Sequence, residues 1–113
     1  MDDRIPAHLE VSGLIKAVSA EGGFATVLAK GEKTAGTLMI ICCENGTKLR
    51  AYERMPQLDG TRTWVLSKSQ DVENPMQFSE YIDRRKRQDS DLWILELDVV
   101  NPERFIGNHF PEI

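Results

Sequence analysis

The sequence predicts an α+β domain: a mainly antiparallel sheet of four to five strands with two helices, in the order α-β-β-β-β-α-β. Three observations carry that prediction. Apolar residues recur at helical spacing near the start, and Asn-Gly and Asp-Gly pairs punctuate the middle as hairpin turns. An Asn-Pro pair then introduces a second helical stretch ahead of a last alternating segment.

The elements follow in order. Val11, Leu14, Ile15 and Val18 fall at i, i+3, i+4 and i+7, one face of a helix, with Ser12, Lys16 and Ser19 on the other side. Gly22-Gly23 stops it, and Phe24 to Ala29 reads as a strand. After a polar loop from Lys30 to Gly36, the segment Thr37 to Cys43 is apolar on both faces, Leu38 and Ile40 on one and Met39 and Ile41 on the other. A strand of that kind belongs in the centre of a sheet covered from both sides. Asn45-Gly46 suits a type I′ turn, which needs positive φ at both central residues. The partner strand Lys48 to Arg54 is more polar, and Asp59-Gly60 turns into Thr63 to Leu66. Ser67 to Glu73 is a polar connector. Asn74 is placed as N-cap of the second helix, with Pro75 at N1, Gln77 at N3, and Phe78, Tyr81 and Ile82 as the buried stripe. Leu92 to Val99 is the last strand, with Trp93, Leu95 and Leu97 facing the core and Glu96 and Asp98 facing solvent. The tail 101–113 shows no regular element, although Phe105, Ile106 and Phe110 are placed to dock it.

Residues 1–113 are expected to form one domain with its core at about 5–100, a size usual for a single domain. A hydrophobic share of 41% and a charged share of 28% mark a globular chain. No apolar run is long enough to span a bilayer, and the acidic opening lacks the apolar stretch of a secretory signal. Cys42 and Cys43 are neighbours on a strand, point to opposite faces and are expected to stay reduced and buried. Together these features favour the cytoplasm.

Chemistry-bearing motifs are sparse. Gly31 to Gly36 has glycines spaced like a phosphate loop, but Thr37-Leu38 follows and opens a strand, where a phosphate loop requires Lys-Ser or Lys-Thr and a helix. A plain turn is the better reading. Arg84, Arg85, Lys86 and Arg87 form the basic cluster and are the candidate contacts for a partner or an anion. The same residues also suit a solvated helix end, where cations meet the negative end of the helix dipole. A net charge of −4 and a pI near 5.2 argue against a nucleic-acid binder, unless Lys48, Arg50 and Arg54 extend the patch. Glu96, Asp98, Asp89 and Asp91 lack the companion motif of a magnesium site. His8 and His109 lie near the chain ends without a Ser or Cys nucleophile motif. No catalytic residue, metal or cofactor is assigned.

From Arg4 to Ile106 the chain resembles DUF1491, an alphaproteobacterial family of unknown function. The resemblance rests on the N-terminal helix, Gly23-Phe24-Ala25-Thr26-Val27-Leu28, Gly31-Glu32-Lys33-Thr34-Ala35-Gly36, and Asp89 to Asp98; Glu32, Arg85, Gln88 and Ser90 depart from the family pattern. It implies a small α+β fold in a bacterial cytoplasm and brings no activity, cofactor or catalytic residue to carry over. The expected function is a non-catalytic interaction or small-ligand module, with a nucleic-acid accessory role through Arg84–Arg87 as the alternative. A homodimer through an apolar sheet face is expected, because two short helices would leave part of a doubly apolar sheet bare. The rival is that the C-terminal tail folds back as a lid.

Overall fold

The computed structural model describes residues 5–56, 58–60 and 62–109. The elements are α1 (Ala7–Ala20), β1 (Phe24–Ala29), β2 (Leu38–Glu44), β3 (Thr47–Pro56), β4 (Arg62–Ser69), α2 (Met76–Gln88), β5 (Trp93–Asp98) and α3 (Pro102–His109). The sheet order is β1-β5-β2-β3-β4. Three of its strand pairs are antiparallel, while β5 lies parallel to β2, with Leu38 opposite Trp93 and Cys43 opposite Asp98.

The most buried strand is β2, whose first six residues are all in the core. Its alternation divides the interior in two. On one face Leu38, Ile40 and Cys42 join Trp93, Leu95 and Leu97 beneath Val11, Leu14 and Val18 of α1 and Phe105 and Ile106 of α3. On the other, Met39, Ile41 and Ile94 meet Phe78 and Ile82 of α2. The expected registers of β2 and β5 hold on the core side, and both cysteines are free and buried on opposite faces. Asn45 and Gly46 carry φ of 54° and 73°, the left-handed pair a type I′ hairpin needs.

Three expectations are corrected. Residues 102–109 form a helix, α3, where no regular element was expected; Pro102 pre-sets its φ, and burial of Phe105 and Ile106 stabilises a helix too short to persist alone. This resembles the lid arrangement, although Phe110 lies outside the described residues. Second, α2 starts one residue later than the capping pattern placed it. Pro75 is its N-cap, no side chain caps it, and the Asn74 amide instead donates to the Asp71 carbonyl at 3.0 Å. Third, Glu96 is half-buried, because α2 crosses its face of the sheet.

Ion pairs hold the helices down. Glu10 of α1 takes both terminal guanidinium nitrogens of Arg54 at 2.9 and 3.0 Å. Glu103 of α3 takes Arg50 at 2.6 and 2.7 Å and the Tyr52 hydroxyl at 2.9 Å. Those bonds hold the Glu103 carboxyl below the usual carboxylate range.

Candidate functional site

The amphipathic stripe of α2 fixes where the sheet is open. Phe78 and Ile82 are one turn apart and enter the core. Tyr81 and Arg85, likewise one turn apart, lean toward β3, where the Tyr81 hydroxyl and the Arg85 guanidinium donate to the Glu53 carboxylate at 3.1 and 2.5 Å. The opposite flank, Ser79, Asp83 and Lys86, overlooks the β1–β5 side of the sheet. Between this flank and the strands lies a groove of about 210 Å³. Leu28, Ile41 and Leu49 make its floor, Phe78 and Ile82 one wall, and Glu96 joins Asp83 and Lys86 at the rim. Burial pushes the Glu96 carboxyl above its ordinary value, and nearby Asp98 adds to the shift. The groove thus offers apolar surface framed by both signs of charge.

The four side chains of the basic run do not share one face of α2. Successive helical residues turn by about 100°, so four in a row circle the whole helix. Arg85 is bound to Glu53, Lys86 stands at the groove, and Arg84 lies with its guanidinium carbon 5.9 Å from the Tyr81 ring centroid. Arg87 is exposed. Arg50 and Arg54 pair with Glu103 and Glu10 on the far face of the sheet, so they do not extend a basic patch around α2.

The glycine-flanked loop is a turn. The Glu32 carboxylate accepts the amides of Thr34 and Ala35, the donors a phosphate would need. Gly31 and Gly36 press on Asp91, whose carbonyl oxygen would lie 2.1 and 2.6 Å from a Cβ added at either. The Trp93 indole donates to the Glu32 carbonyl at 2.8 Å, fastening the loop to the core. Asp98 accepts the amides of Asn45 and Gly46 at 2.8 and 3.1 Å, and Asp89 accepts that of Asp91 at 3.0 Å. Among the described residues no three His, Cys, Asp or Glu side chains gather as metal ligands. His8 Nδ1 lies 3.0 Å from the Lys33 carbonyl oxygen, and the His109 side chain lies outside the described residues.

Comparison with known proteins gives this architecture a family. The family described as protein of unknown function, DUF1491, matches residues 5–107. The chain belongs to that family. A crystal structure of a DUF1491 family protein from Caulobacter crescentus CB15 superposes with a TM-score of 0.76 at 25% identity, covering 90% of this chain and 94% of that one. An NMR structure of a DUF1491 family protein from the same organism gives 0.74 and 25%, covering 89% and 91%. The solution structure of protein Atu0922 from A. tumefaciens gives 0.66 and 28%, covering 85% and 86%. No curated protein matches. Because DUF1491 is a family of unknown function, the functional reading comes from the groove itself. Sequence reasoning missed that groove: Ser79, Asp83 and Lys86 share one flank of α2, but only the fold shows which strands they overlook.

Proposed function

We propose that this DUF1491 protein is a non-catalytic interaction module of the bacterial cytoplasm, holding one apolar side chain of a protein partner in the groove beside α2. The observation that carries this reading is the groove's size and lining. At about 210 Å³ it falls below the ~300–1,000 Å³ typical of small-molecule sites and suits a single anchoring side chain. Its apolar floor would contribute the affinity, and Asp83, Lys86 and Glu96 would orient the partner's polar neighbours. Two free, buried thiols support a reducing compartment. No helix among the described residues is long and apolar enough to cross a membrane. The nucleic-acid reading loses support from the dispersal of Arg84–Arg87 and the net charge of −4.

The test is a displayed-peptide selection on the wild-type protein with counter-selection on Ser79→Trp, which fills the groove from an exposed helix position. Selected peptides should share an apolar anchor, shift the methyl resonances of Leu28, Ile41 and Leu49, and bind the variant at least tenfold more weakly. Peptides that shift only resonances elsewhere would overturn the reading. So would saturable oligonucleotide binding that Arg84→Ala and Arg87→Ala abolish.

A further inference from the structure

Of the described phenylalanines and tryptophans, Phe24 alone is exposed, at 74%. Its place on β1 is specific. Ala25 and Val27 pack toward the α1 face, so strand alternation sends Phe24 and Thr26 to the α2 face, the face that carries the groove. Phe24 pairs with Asp98, and Thr26 pairs with Glu96 at the groove rim. The ring therefore stands two residues, about 7 Å, along the strand from the rim.

Knob and hole lie side by side on one patch, as an isologous two-fold interface requires. The rim residues Lys86, Asp83 and Glu96 carry both signs, so the lysine of each copy can meet a carboxylate of the other. We infer that the groove's partner is a second copy of this chain, with Phe24 of each protomer seated in the other's groove. The inference rests on the reading of the groove as a side-chain site and names its occupant. The rim lysine of each copy then faces the rim carboxylates of the other. An aromatic ring buries ~150–250 Å² in such a contact, and the two-fold axis doubles it.

Phe24→Ala removes the knob and keeps the groove, while Ser79→Trp blocks the groove and keeps the knob. Both positions are exposed, so thermal melts should match wild type. In sedimentation equilibrium the 12.8 kDa chain should dimerise, and each variant should weaken dimerisation at least tenfold. An equimolar mixture of the two variants should associate more tightly than either alone, because one knob–groove contact is restored. A wild-type chain that stays at 12.8 kDa up to millimolar concentration overturns the inference, as does a dimer that neither variant weakens, or a mixture no tighter than its components. If the wild type stays monomeric yet groove-directed peptides still bind it, the inference fails and the module reading stands; if those peptides fail as well, both fall.

Discussion

Removing the Glu10 carboxylate tests how α1 is anchored to the sheet. Its two oxygens accept both terminal nitrogens of Arg54 at 2.9 and 3.0 Å, and the two side chains are only 9% and 5% exposed. The guanidinium carbon also lies 5.2 Å from the Trp64 ring centroid. Glu10→Ala takes both of those bonds from a buried cation, and losing one partner of a buried pair costs ~3–5 kcal/mol. Total stability of a domain is ~5–15 kcal/mol, so the variant should lose a large fraction of it. Replacing both residues, Glu10→Leu with Arg54→Leu, removes both members of that pair together. That double variant should be far closer to wild type than Glu10→Ala, because desolvation of an ion pair offsets most of its attraction. Urea unfolding followed by tryptophan fluorescence reads both effects. A Glu10→Ala cost below ~1 kcal/mol, the range of a solvated surface pair, would refute the buried anchor.

Other perturbations separate the two faces of the sheet. Trp93→Ala should cost ~3–5 kcal/mol, since the ring is 7% exposed in the α1-side core and its indole also holds the Glu32 carbonyl. Glu96→Gln should be neutral or stabilising at pH 7: the raised carboxyl makes folding less favourable as pH rises from ~4.3 through its folded value, and the amide removes that penalty. Urea midpoints at pH 4 and 7 check this, and a variant destabilised only at pH 7 would show the carboxylate to be favourably bound. The thiols should label slowly in the native protein; burial pushes Cys42 well up and Cys43 up to about 11, so two rapidly modified cysteines would contradict the core assignment. Glu103 has the opposite sign from Glu96. Its contribution is present above the usual glutamate value and lost as pH falls through its lowered folded value, so α3 should loosen in acid, seen as a change in the Ile106 methyl resonances. Equal acid response in Glu103→Gln would sink that assignment.

Much of the fold was legible because it rests on local period. Val11, Leu14 and Val18 at helical spacing, and the alternation of Trp93, Leu95 and Leu97, each report a face that the core covers. Asn45-Gly46 declared its turn through backbone sterics alone. What stayed hidden depends on contacts distant in sequence. The parallel pairing of β5 with β2 joins Trp93 to Leu38 across two strands and a helix, with no local signal. The α3 helix carried a start signal in Asn101-Pro102-Glu103, but its stability comes from Arg50, Tyr52 and the core beneath Ile106. Glu96 reads as a solvent-facing residue on any strand pattern, and only the crossing of α2 makes it the rim of a groove. The dispersal of Arg84–Arg87 around the helix, by contrast, was available from helical geometry alone.

The claim that matters most is that the groove receives an apolar side chain. Its most direct test is the structure of the protein bound to its best selected peptide. One apolar side chain of that peptide is expected against Ile41, Leu49 and Phe78, with polar neighbours meeting Lys86, Asp83 or Glu96. A peptide seated on the α1–α3 face, or paired only along the outer edge of β4 with the groove empty, would contradict it.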